Sequence, residues 1–431
     1  MNTALKTAST TEVARGSATR IASIDVFRGL TMAVMIFVNA LDGVRGLPWW
    51  THHAPARVDV MTYVDMVFPF FLFAVGLSLP LAVERRLRRL RRLRRDGSEA
   101  GLWAHVALRS ASLVVLGLIL ANAEKADRAR MGMSGNVWGL LGLVCAALFL
   151  LDYGSWERLR PYAYIFQGIG LAGVAILYGV FRRTTPGGQA AWIDFSYPEI
   201  LGLIGFSYFA VAILYIPTRH LRWAPAAWFV LLVALCALAN ARMVMFPERL
   251  PLYVWPFGNG AMCCIVMAGV VTSSFFRGVD GDSPPHGRRP VAWASGSAPR
   301  KGIGAAVAFG VAALAAGWAL KPLGISKIRA TPTWSLWSVG AAALLFALLY
   351  WICDVRQWRR WALPVRPAGS NTLTTYLLPD VWDLLLGSLG LVFWDAHFAA
   401  GWPGVVKTIV FTCMILALAG VLTRAKVRLQ L

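Results

Sequence analysis

Apolar segments long enough to cross a bilayer recur along almost the whole chain, and they constrain the fold more than any motif. A helix needs about 20 mostly apolar residues to span the hydrocarbon core. Such segments fall near Ile24–Leu41, Tyr63–Val83, His105–Ala121, Val137–Asp152, Pro161–Phe181, Glu199–Ile216, Ala224–Ala239, Gly260–Phe276, Ile303–Leu320, Trp334–Ile352, Asn371–Leu391 and Val405–Thr423. With 58% hydrophobic and 15% charged side chains and a mean hydropathy of +0.59, the chain falls in the membrane class. The expected fold is all-α: a polytopic integral membrane helical bundle of about 12 transmembrane helices. The fourth and seventh segments are short and the sixth could lie in the interface, so the count ranges from about 10 to 12.

A net charge of +21 raises the question of nucleic acid, but its distribution points to the membrane surface. With the N-terminus cytoplasmic, 27 of the 42 Lys and Arg fall on inner segments, 12 on outer loops, and three (Arg28, Arg109, Lys407) in spans. That asymmetry is the positive-inside pattern and puts both termini in the cytoplasm. The expected location is a membrane, crossed several times, such as a bacterial inner membrane, with lipid and no nucleic acid as partner. The basic run from Arg85 to Arg95 closes the second span. It reads first as an anchor against anionic headgroups, and second as an attractor of a polyphosphate ligand. Cys145, Cys236, Cys263, Cys264, Cys353 and Cys413 all fall in predicted spans, so neither disulfides nor a metal site is indicated.

These features divide the chain into a disordered cytoplasmic tail (1–22) and an N-terminal bundle (23–276) whose outer loop 42–62 carries the chemistry. A Pro/Gly/Ser-rich cytoplasmic linker (277–302) and a C-terminal bundle (303–431) follow.

Within the N-terminal bundle, Ser23–Gly76 concentrates polar groups that a membrane segment tolerates only for a reason. On a helix, Asp25, Arg28 and Asn39 share one stripe, with Asn39 about 16 Å beyond Arg28 at 1.5 Å per residue. Asp25 and Arg28 read equally as a structural ion pair and as ligand-binding groups at the inner boundary. After Asn39, the loop Asp42–Thr62 brings adjacent histidines, His52 and His53. Imidazole suits proton transfer near neutral pH, although a loop histidine alone is more often merely solvated.

Near the other end, Ser370 and Asn371 open the eleventh segment. They read either as an ordinary N-cap or as a phosphate site at a positive helix end. Pro379 and Asp380 follow. If the helix continues past the proline, Asp380 lines a cavity; if it ends at Leu378, Asp380 lies in a loop.

Together SIDVFRGLTMAVMIFVN, a His-Ala in the loop after it, and VDMVFPFFLFAVG resemble the opening of the heparan-alpha-glucosaminide N-acetyltransferase family. KIRATPTWSLWSVGAAALLFALLYWICDV and GSNTLTTYLLPDVW resemble its closing spans more weakly. The resemblance implies a transmembrane acyltransferase taking acetyl from cytoplasmic acetyl-CoA, a co-substrate with no metal, to an amino sugar on the other side. It maps the catalytic histidine onto His53 and the functional asparagine onto Asn39, and supports a role for Asp380. Asp65 or Asp380 would then hold the imidazole tautomer, Asp25, Arg28, Ser370 and Asn371 would meet the coenzyme, and His52 and Asp380 would lie on the substrate side. The loop reads HAPARVDVMTY, without the aromatic and glycine usual after that histidine, so the acceptor is less well specified than the donor. A homodimer is compatible with this reading. A transporter or flippase of a sugar or lipid-linked glycan is the alternative, since intramembrane charges would serve it too.

Overall fold

A computed structural model describes residues 21–92, 99–245, 255–276, 298–391, 393 and 397–430. The expected tail, most of the linker and the last part of the basic run lie outside the described residues. Among the described residues, twelve helices of 15 residues or more follow the apolar segments. They are α1 (Ala22–Asp42), α2 (Val64–Arg92), α3 (Ala100–Ala123), α4 (Gly135–Leu150), α5 (Ala163–Val180) and α6 (Glu199–Thr218). The second six are α7 (Ala224–Asn240), α8 (Ala261–Phe275), α9 (Ala298–Ala319), α10 (Pro332–Tyr350), α11 (Thr372–Leu389) and α12 (Gly401–Arg424). Eight segments are long and apolar enough to cross a membrane, while α4, α7 and α8 are apolar but shorter. The sixth segment sits inside the bundle, with 67% of its apolar window buried.

The centre of the bundle is α8, buried at nearly every position from Ala261 to Ser273. It packs against α2, α6, α7 and α10, and α10 in turn packs against α1, α2 and α9. Close approach of α2 and α8 requires glycine on both sides. A Cβ on Gly76 would lie 1.9 Å from the Val266 carbonyl oxygen, and one on Gly269 would lie 2.2 Å from that of Phe73. Small residues at such crossings let backbones touch where lipid gives no hydrophobic drive to associate. Aromatic rings of Phe27, Phe73, Phe276 and Phe346 fill the space beside that crossing, with Phe27 and Phe346 centroids 6.1 Å apart.

α1 is fixed at its first turn by residues more than 300 positions away. The Asp354 carboxylate accepts from the backbone N–H groups of Ala22 (3.1 Å) and Ser23 (2.9 Å), which have no partner within the helix. The short turn Arg366–Ser370 also presses on α1, because a Cβ on Gly369 would come within 1.8 Å of the Asp25 carbonyl oxygen. At the opposite end, the charged segment after α3 is tied to a two-stranded hairpin, Arg183–Thr184 with Ala190–Ala191. Thr184 donates to Asp127, and Lys125 pairs with Asp194 at 2.9 Å.

Candidate functional site

The loop joining α1 to α2 is held in shape by its own polar groups. Thr51 donates to the Pro48 carbonyl (2.7 Å), and the Thr62 hydroxyl donates to the His52 carbonyl (2.9 Å). Arg45 exchanges backbone hydrogen bonds with Ala399 and Gly401 at the start of α12. The His52 ring is engaged on both sides, Nε2 at 3.1 Å from the Val44 carbonyl and Nδ1 at 3.0 Å from Thr51 Oγ1. A carbonyl can only accept, so Nε2 carries the proton and His52 buttresses the loop.

His53 is engaged differently, through a buried carboxylate. Asp65 lies in the first turn of α2, 1% exposed, and its Oδ1 is 2.8 Å from His53 Nδ1. Its other oxygen accepts from the backbone N–H of Thr62 (3.0 Å) and Ala54 (3.3 Å). Trp334 on α10 donates to the Asp65 carbonyl at 3.0 Å, locking this turn of α2 to the bundle. A carboxylate accepting from Nδ1–H fixes the tautomer and leaves the Nε2 lone pair directed away from Asp65. Of the two carboxylates considered from the sequence as partner for the histidine, Asp65 is the one hydrogen-bonded to it.

A third group completes the cluster. Lys327, between α9 and α10, brings its ammonium to 3.3 Å from His53 Nε2 and 3.4 Å from Nδ1. Near-equal distances put Nζ against the ring rather than along one lone pair. Partial burial holds the Lys327 amine below the ordinary lysine range, and the carboxylates of Asp65, Glu199 and Asp42 offset part of that shift. Its loop is pinned to the histidine loop: the Ile325 N–H donates to Asp59 Oδ1 at 3.1 Å, and Arg329 pairs with the same oxygen. Ala330 adopts a left-handed φ of 47°, and its carbonyl accepts from Asn259 at 2.8 Å. A non-glycine residue in that region is held by its surroundings. Reading the sequence missed Lys327 because it lies 274 positions from His53; its one signal was its place at the head of KIRATPTW.

The other expected site residues divide. Asn39 is exposed near the end of α1, and among the described residues no hydrogen bond joins it to His53. Asp380 stays helical because α11 runs through Pro379 to Leu389. It is half-buried, and Glu199 lies within electrostatic reach of both Asp380 and Lys327.

At the far end of α1, Asp25 is buried and Arg28 donates to Thr372 Oγ1 at 2.7 Å, which joins α1 to the first turn of α11. Ser370 donates to the Pro367 carbonyl, while the Asn371 amide reaches the Val427 carbonyl at 2.8 Å and does not cap α11. Both side chains therefore shape the backbone here. Among the described residues no group of His, Cys, Asp and Glu is arranged to hold a metal ion.

Eight apolar helices of spanning length among the described residues define a polytopic helical membrane protein. Residues 20–223, just under half of the chain, match DUF5009, a domain of unknown function; the match includes His53 and Asp65 and stops short of Lys327. The chain is 33% identical over 152 residues to heparan-alpha-glucosaminide N-acetyltransferase of Mus musculus, covering 34% of this chain and 21% of the mouse protein. It is 34% identical over 168 residues to the Homo sapiens protein of the same name, covering 39% of this chain and 20% of the human one. Over part of its length the chain is thus similar to heparan-alpha-glucosaminide N-acetyltransferases, and it spans only about a fifth of either relative's length.

Proposed function

We propose that the protein is a membrane-embedded acyltransferase that moves an acetyl group from acetyl-CoA to the amine of an amino sugar or glycan across the membrane. The observation that carries this reading is the His53–Asp65 pair with Lys327 against the same ring. Acetyl transfer needs a base for the attacking amine, a positive group where the carbonyl oxygen gains charge, and a site that keeps water from the thioester. In the proposed step the amine nitrogen bonds to the thioester carbon and the carbon–sulfur bond breaks. The amine proton passes to His53 Nε2 and from there to the departing thiolate. Asp65 stabilises the imidazolium that forms, and the Lys327 ammonium faces the developing oxyanion. The same Nε2 lone pair could instead carry the acetyl group transiently. Asn39 is proposed as an amide donor to the reacting carbonyl, and Asp380 as an acceptor-side group.

The positive-inside distribution supports a cytoplasmic position for Arg28, in a bacterial inner membrane on this reading, where acetyl-CoA would enter. His53 then lies at the opposite face. Purified protein given labelled acetyl-CoA and a panel of amino sugars should form acetylated sugar, and His53→Ala should lower the rate to background. Wild-type turnover by that variant would remove the proposal, and mass spectrometry of the quenched wild type would reveal an acetyl-histidine if one forms.

A further inference from the structure

A second polar cluster, which the acetyl-transfer chemistry does not use, sits where α2, α3 and α6 meet near the Arg28 end of the bundle. Arg86 is about two turns from the end of α2, and Arg109 is about two and a half turns into α3. His105 is four residues before Arg109, hence on the same helix face and within electrostatic reach of both guanidinium groups. The Arg109 guanidinium stacks over the ring of Tyr208 on α6, 4.7 Å from its centroid, and Tyr208 itself is only 3% exposed. The guanidinium also reaches the Tyr208 hydroxyl, and the other N–H groups of its five-donor fork remain to meet an anion.

Among the described residues the Nε atoms of both Arg86 and Arg109 are buried without a hydrogen-bond partner, an expensive arrangement for a cationic donor. Two described acids on or next to these helices pair elsewhere: Glu84 with Arg88 at 2.6 Å and Glu99 with Arg219 at 2.6 Å. Two guanidinium groups lie within electrostatic reach of one imidazole and each keeps a buried, unanswered Nε–H, a donor set that a phosphate group accepts from.

We propose that Arg86, His105, Arg109 and Tyr208 form a binding site for a phosphate group at the α2–α3–α6 junction. That phosphate could belong to a soluble nucleotide-like ligand such as coenzyme A or to an anionic lipid headgroup. The coenzyme A alternative rests on the acetyl-transfer reading, and the headgroup alternative does not.

The test uses the full-length protein in phosphatidylcholine nanodiscs with and without phosphatidylglycerol. Coenzyme A binding is titrated in the first, and retained phosphatidylglycerol is counted by native mass spectrometry in the second. Arg109→Gln and Arg86→Gln should each weaken one of these ligands by about tenfold or more, as expected for a lost charge-assisted contact. Arg109→Lys should recover part of the loss. Weakened coenzyme A binding with unchanged lipid assigns the site to the soluble ligand, and the converse assigns it to the headgroup. If both glutamine variants remain monodisperse with an unchanged melting midpoint and bind both ligands as the wild type does, the proposal is overturned. Should a variant fail to fold, Tyr208→Leu, which removes the stacking surface and no charge, is read by the same two measurements.

Discussion

The His53 loop and the α2–α3–α6 junction, at opposite ends of the bundle, organise polar groups in opposite ways. At the His53 end, donors and acceptors answer one another: Asp65 has a partner for each oxygen, and Lys327 comes from a loop pinned to Asp59. Around the α2–α3–α6 junction at the other end, cations outnumber acids and two guanidinium nitrogens lack partners. An internally satisfied cluster is preorganised, and its geometry is set before any ligand arrives. An unsatisfied one is completed from outside. The contrast suggests that chemistry belongs to the first end and anchoring of a charged ligand to the second.

That contrast can be broken from the His53 end. Asp65→Asn should lower kcat by about 10²- to 10⁴-fold while the protein stays folded, because the tautomer is no longer enforced. A rate near wild type would mean that the hydrogen bond to His53 is only structural.

Lys327→Gln should lower kcat by about 10²- to 10³-fold if its charge faces the oxyanion. The sign of its pH dependence follows from its depressed pKa: the ammonium is present at low pH and lost as pH rises through a value below the ordinary ~10.4. Activity should therefore fall on the alkaline side, and Lys327→Arg, charged throughout, should move that limb upward. An alkaline limb that Lys327→Arg does not shift would assign the titration to another group.

Asp354→Ala should cost about 0.5–2 kcal/mol of stability through the lost cap on α1, read as a lower melting midpoint with kcat of the folded fraction unchanged. The smallest effect belongs to Asp59→Asn. The Ile325 N–H, and then Arg329, hold the Asp59 carboxyl below the usual range, so this pairing survives near neutrality and is lost only as pH falls through that lowered value. At pH 7 the substitution should loosen the Lys327 loop and lower kcat a few-fold, leaving the melting midpoint nearly unmoved.

Much of the fold could be read from the sequence because length and hydropathy are local properties. Each of the twelve apolar segments became a helix, usually within a few residues of its expected ends. His53 was legible for a related reason, since its partner Asp65 is twelve positions away and both flank one loop. Lys327 and Asp354 were not, because their significance comes from contacts across hundreds of positions that no local pattern encodes. Asn371 shows the reverse error. It occupies the position of an N-cap, but the C-terminal segment offers the Val427 carbonyl and the amide goes there.

The clamp of Asp354 on Ala22 and Ser23 bears on how the molecule is made. Ala22 precedes by 332 positions the carboxylate that secures the leading turn of α1, and His53 precedes its lysine by 274. A nascent chain of some three hundred residues would thus hold His53 against Asp65 without the lysine, and α1 without its cap. Completion of the tenth helix and the turn after it is the moment at which both are settled.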